Sequence, residues 1–173
     1  MAAKYKLQDY AQLTKREVFF DANVIIYLFW PTGQHPFENN YARVFRNLMR
    51  QGNNLYVDFL VISEVINRVI RIEHQKINPS QKFKDFRNSQ DGKEVLEDIF
   101  IIVKNDILSR FKVVGKIFDN IEIERFLEVD ELDFVDKATV SICSENNFVL
   151  LTNDKDFKNS ELDILTGNPS IHH

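Results

Sequence analysis

Asp21 directly follows the apolar run Val18-Phe19-Phe20, and Asp154 closely follows the run Phe148-Val149-Leu150-Leu151-Thr152. Runs of this composition read as buried strands. An acid at the end of such a run sits at the strand's carboxyl end, the edge of an open α/β sheet where ligands bind. Two more acids fall on helical patterns. Glu64 stands among Val61, Ile62, Val65 and Ile66, and Asp136 stands near the start of the pattern over 135–145. A carboxylate among apolar neighbours is costly unless something compensates it, and several together raise one another's pKa values. A divalent cation removes both conflicts. Oxygen-only donors, with no His or Cys pair at ligand spacing, favour Mg2+ or Mn2+ over zinc. Phosphodiester hydrolysis suits such a site: the metal lowers the pKa of a bound water, orients it and neutralises charge on the phosphate, and no side-chain nucleophile is needed.

Each acid taken singly has a plainer role. Asp21 could be a turn residue, Glu64 a half-exposed helix residue, and Asp136 an acid stabilised by its helix's dipole. Pairing Asp21 with Asp154 is what favours chemistry, because two central parallel strands would bring both acids to one edge. The other reactive side chains offer less. His35, His74, His172 and His173 share no ligand spacing, Cys143 lies in an apolar helical stripe, and Trp30 reads as core rather than as a base-stacking platform.

The remaining chain must position these acids. Residues 4–16 read as a short helix or extended arm. Ala22-Asn23 reads as a turn, and 24–29 as a helix. Apolar residues from Phe37 to Met49 recur at helical spacing, with Gly52 as the cap. Residues 55–57 form a short strand, Asp58 a candidate N-cap, and 59–74 a long helix that Asn78-Pro79-Ser80 breaks. Residues 81–92 are polar and read as partly irregular, 95–108 as helix, 111–118 as strand or turn, and 121–127 as a short helix. Asn146-Asn147 ends the helix 135–145, since Asn tolerates a left-handed cap. Residues 162–166 suggest a last strand. Strands alternating with helical patterns predict a three-layer α/β/α sandwich with a mostly parallel central sheet.

With 173 residues, 44% hydrophobic and 28% charged, the chain suits one globular domain. A single cysteine excludes an internal disulfide and fits a reducing compartment. The longest apolar run, 24–30, is far shorter than the about 20 residues a bilayer span needs, and residues 1–12 lack a signal core. A cytoplasmic protein with no membrane association is expected. The net charge of −4 argues mildly against nonspecific nucleic-acid binding. Bases nevertheless crowd the middle of the chain, Arg68 and Arg71 among them, and acids follow them.

Phe-Phe-Asp-Ala-Asn-Val-Ile at 19–25, Glu64 in a helix, Asp136 opening a helix with Ala138, and Leu-Leu-Thr-Asn-Asp-Lys-Asp-Phe at 150–157 together resemble a PIN domain. The resemblance is to the VapC-type toxins of toxin–antitoxin pairs and runs from about 18 to 166. It implies a metal-dependent ribonuclease in which Asp21, Glu64, Asp136 and Asp154 surround Mg2+ or Mn2+. Asn23 and Thr152 would then support the ligands, with Asp156 and Asp133 as further candidates. It implies an RNA substrate, an antitoxin partner and a homodimer. Arg68 and Arg71 would hold phosphates. The chain is expected to be one PIN-like domain over 1–173, with an arm at about 1–16 and a helical insertion at about 77–118 beyond what such toxins need.

Two other readings compete. A PIN fold could bind RNA or protein without cutting, its acidic pocket accepting a partner's Arg. An aspartyl-phosphate site is the third, but such sites want neighbouring acids at the first strand's end, and Asn23 stands two positions after Asp21.

Overall fold

The computed structural model describes residues 2–33 and 35–172. His173, grouped above with His172, and Met1 of the arm lie outside the described residues. Six strands form one sheet in the order β1-β6-β5-β2-β3-β4, and every pairing is parallel. They are β1 (Lys4–Lys6), β2 (Val18–Phe20), β3 (Leu55–Asp58), β4 (Lys112–Val114), β5 (Val149–Leu151) and β6 (Ile164–Thr166). Every residue of β2, β5 and β6 is buried. Neighbouring strand residues point to opposite faces, so both faces of the central sheet are covered, as parallel sheets require.

The helices are α1 (Ala22–Phe29), α2 (Glu38–Arg50), α3 (Phe59–Ile77), α4 (Phe83–Asn88), α5 (Gln90–Ile102), α6 (Leu108–Arg110), α7 (Asn120–Phe126) and α8 (Phe134–Asn146). α1 packs on α2 and α3, α3 on α4 and α5, and α7 on α8. This is the expected three-layer α/β/α arrangement. Among the described residues no helix is long and apolar enough to cross a membrane.

Strand order decides where a site can form. From β2 the chain moves to β3 and β4 on one side, while β5 returns to β2's other flank and leads on to β6. The β2–β5 boundary is therefore the topological switch point, where the chain diverges and leaves a crevice at the strands' carboxyl ends. The register pairs Phe20 with Leu151, which sets Asp21 level with Thr152. Large rings fix these strands from the sides: Phe20 meets Phe111 and Phe45 edge-on, with centroids 4.9 and 6.0 Å apart.

Three local expectations change. Ala22 and Asn23 begin α1 rather than a turn, because Asp21 caps the helix: its carbonyl accepts from Val24 and Ile25. The arm begins with a strand, β1, followed by a 3-10 segment at Leu7–Leu13. Polar contacts hold β1 against β6, since Asp163 accepts from the Ala3 amide at 2.8 Å and pairs with Arg16 at 2.9 Å. An apolar pattern could not announce such a strand. Residues 81–92 hold α4 and the start of α5 rather than an irregular stretch. Ser89 joins them, its hydroxyl donating to the Phe86 carbonyl and accepting from the Gly92 amide. Phe86 is fully buried beside the buried His74 ring, whose Nε2 lies 2.7 Å from the Gln81 carbonyl oxygen. The expected strand-or-turn at 111–118 resolves as the edge strand β4, whose exposed Lys112 guards an open edge.

The α4–α5 corner closes only because position 92 lacks a Cβ, which would stand 2.0 Å from the Phe86 carbonyl oxygen. Gly92→Ala should therefore forgo the helix-propensity gain of about 1 kcal/mol and cost about 1–3 kcal/mol by overpacking. Urea denaturation monitored by circular dichroism measures this, and an unchanged midpoint would show that the corner relaxes freely.

Candidate functional site

The Asp21 carboxylate is clamped at the switch point. Its Oδ2 accepts from Thr152 Oγ1 at 2.6 Å and from Asn23 Nδ2 at 2.6 Å, and its Oδ1 accepts from the Ala22 amide at 2.6 Å. The Asp21 amide donates to the Leu151 carbonyl at 3.1 Å, so sheet pairing carries on to the acid itself. Thr152, fully buried, accepts in turn from the Asp154 amide at 2.9 Å. One hydroxyl thus links both strand-end acids.

The other sequence-identified acids gather around this clamp. Burial pushes the Asp21 carboxyl up to about 6. Thr152 opposes that rise, Glu64 adds to it, the Ala22 amide opposes it, and Asp154 adds a little more. Asp136, in the first turn of α8, is pushed up to about 7 by burial first, then by the charges of Asp133, Asp21 and Asp154. Asp21, Glu64, Asp136 and Asp154 therefore share one field at the carboxyl edge. Asp133 is exposed and caps α8, accepting at 2.8 Å from both the Val135 and Asp136 amides. Asp156 is exposed, and its amide donates to Asp154 Oδ1 at 3.0 Å. On α3, Arg68 pairs with Glu64 at 3.0 Å. Arg71 lies over the Phe83 ring, 4.1 Å from its centroid.

Several residues here carried no recognisable signal in the chain. The Tyr41 hydroxyl, from α2, lies 3.0 Å from both the Thr152 carbonyl oxygen and Asn153 Oδ1, and accepts from the Gly167 amide at 2.9 Å. Asn153 donates its amide to Asn23 Oδ1 and turns its Nδ2 toward Tyr27 and His35, whose rings stack 4.3 Å apart. Asp58 ends β3 beside β2. It caps α3 through the Val61 amide at 2.7 Å, and burial pushes its carboxyl upward. Asp58 Oδ2 is buried with no hydrogen-bond partner among the described residues. Asp58 was legible as a cap, but only the strand order places it next to Asp21. Burial pushes the Cys143 thiol far up, which leaves it a core residue.

The donor set suits a hard divalent cation: it is all oxygen, mutually repelling and partly desolvated. Among the described residues no three Asp, Glu, His or Cys side chains already stand close enough together to enclose an ion. Mg2+ typically takes one or two carboxylates directly and keeps several waters, so the arrangement fits that ion without a preformed protein cage.

A model of the PIN domain family matches residues 18–161. The curated proteins give no sequence match. Among solved structures, the fold is similar to PAE2754 from Pyrobaculum aerophilum, with a TM-score of 0.52 and 18% identity over 88% of this chain and 85% of that one. It is also similar to VapBC2 from Rickettsia felis, solved bound to a DNA fragment from its promoter. There the TM-score is 0.51 and the identity 16%, over 86% of this chain and 97% of that one.

The acid cluster sets a pH dependence. An acid whose pKa is higher folded than unfolded holds its proton preferentially in the folded state. Its contribution to stability therefore declines as pH rises from the unfolded value of 3.8 through about 6 for Asp21 and about 7 for Asp136. The metal-free chain should lose stability across that window. Asp136→Asn should flatten the loss and raise the melting temperature at neutral pH. Calorimetry in chelator across the window checks this; equal slopes for the two proteins would contradict the raised Asp136 carboxyl.

Proposed function

The chain belongs to the PIN domain family, and we propose that it is a Mg2+- or Mn2+-dependent endoribonuclease that hydrolyses RNA phosphodiester bonds. The observation that carries this reading is the gathering of Asp21, Glu64, Asp136 and Asp154 in one field, with Asp21 held by three donors. Asp21 and Asp154 would hold the ion, and Glu64 and Asp136 would complete its surroundings. When bound, the cation supplies Lewis acidity and neutralises charge developing on the phosphate. Glu64 and Asp136 would also orient the attacking water. Thr152 and Asn23 fix the orientation of the Asp21 carboxylate, the supporting role that tunes a metal site. Arg68, half-exposed one helical turn beyond Glu64, can leave its ion pair to hold a phosphate. Arg71 stands further from the acids.

The fold shared with VapBC2 supports a toxin-like role with an antitoxin chain as partner, and we propose a homodimer as the assembly. We assign residues 1–173 to one PIN-like domain, in which 1–16 form an arm that adds β1 to the sheet and 77–118 form an insertion that is helical only as far as the edge strand β4.

Purified chain should cleave single-stranded RNA with Mg2+ or Mn2+ and stop in chelator. Asp21→Asn or Asp154→Asn should reduce the rate by roughly 10³-fold, the loss of several kcal/mol of charge stabilisation. Thr152→Val should cost about 10–100-fold by freeing the Asp21 carboxylate, with the effect partly offset at high metal concentration. Undiminished cleavage in Asp21→Asn would remove this site as the nuclease centre, whereas no binding of Mg2+ or Mn2+ at millimolar levels would leave a fold that binds without cutting.

A further inference from the structure

A groove of about 490 Å³ opens beside the carboxyl ends of β1 and β6, against α2. Three basic side chains line it: Lys6 from β1, Arg43 from α2, and His172. Among the described residues lining the groove none is acidic, in a chain of net charge −4. Lys6 and Arg43 are exposed, and neither has an ion-pair partner among the described residues. The nearby Asp9 accepts from the Lys6 amide and stays outside the lining. The Nε2 of His172 is buried with no hydrogen-bond partner among the described residues. Two half-buried rings, Tyr10 and Phe37, complete the walls.

The groove is tied to the acid cluster. Its wall at Thr166–Gly167 is one hydrogen bond from Tyr41, whose hydroxyl meets the Thr152 carbonyl. Asn168, the next residue, donates to the Asn153 carbonyl at 2.7 Å. Because all the strands are parallel, the groove and the acids lie along the same carboxyl edge of the sheet.

We infer that this groove holds a nucleotide of single-stranded RNA next to the scissile phosphate, Lys6 and Arg43 pairing with backbone phosphate and an aromatic wall stacking the base. The inference deepens the nuclease reading and rests on it for the location of the scissile bond. Cations without an ion-pair partner, in a lining that holds no carboxylate, attract a polyanion. Aromatic faces between them suit an unpaired base, whose stacking is sequence-tolerant. An acidic peptide would satisfy the cations alone and leave the rings unused.

Binding is measured by fluorescence anisotropy of a labelled single-stranded RNA oligonucleotide with the full chain in chelator, so that cleavage is not required. Lys6→Glu with Arg43→Glu should weaken binding by about tenfold or more and reduce the log–log salt slope by about 1.4, two single-strand phosphate contacts. Tyr10→Ala should weaken it about fivefold or more. Arg46→Glu, on α2 but outside the groove, should change it less than about threefold by long-range charge alone. Circular dichroism melts confirm that each variant folds. RNA affinity unchanged in the double variant, or loss confined to a glutamate-rich peptide probe, overturns the inference. If the chain binds through the groove and never cleaves with metal, the nuclease reading falls while the groove stands.

Discussion

Everything at the carboxyl edge of the sheet depends on one carboxylate held between two strands. Asp21 directly follows β2, yet two of its three donors, the Ala22 amide and the Asn23 amide group, come from the helix it starts, and the third is the hydroxyl of Thr152, the residue that follows β5. A half-buried carboxylate is tolerated only when its lone pairs are used. The register of β2 against β5 and the start of α1 are therefore set by the same atoms that fix Asp21. A slip of one residue would turn Thr152 to the other face and strip Asp21 of a partner.

The clamp orients Asp21 without neutralising the cluster. Asp21 and Asp136 are both held above the ordinary carboxylate range by burial and by neighbouring acids. The folded chain keeps this repulsion in reserve, and a cation that binds only the folded state would relieve it and add stability by mass action. The acids are thus an electrostatic liability, which the proposed function would turn to use through a hard ion, as stability and function commonly conflict.

Positive charge is arranged by the same logic. Arg68 answers Glu64 at the rim, Lys116 bridges Glu122 and Glu145, and Lys137 reaches Asp130 and the carbonyls of Phe126 and Glu128. These cations are used within the fold, on helices or loops that need them. Lys6 and Arg43 are not, and they come to one groove beside the acids. Net charge is a poor guide to such a surface, because it sums residues that already cancel one another.

The sequence alone determined the elements whose signal is local. The runs ending in Asp21 and before Asp154 read as buried strands because contiguous β-branched and aromatic residues have few other places to go. The helix stop at Asn147 was legible because Asn accepts the left-handed backbone found there, at φ 54°. The candidate acids were picked out the same way, since each follows a strand or sits on a helical stripe. Tertiary structure decided everything that depends on residues far apart in the chain. β1 joins the sheet through Asp163, 160 positions from Ala3. Tyr41 reaches Thr152 across 111 positions. The basic groove collects its lining from both ends of the chain and from α2. No local pattern encodes such meetings; they exist only once hydrophobic burial and the crossing of parallel strands have brought the segments together.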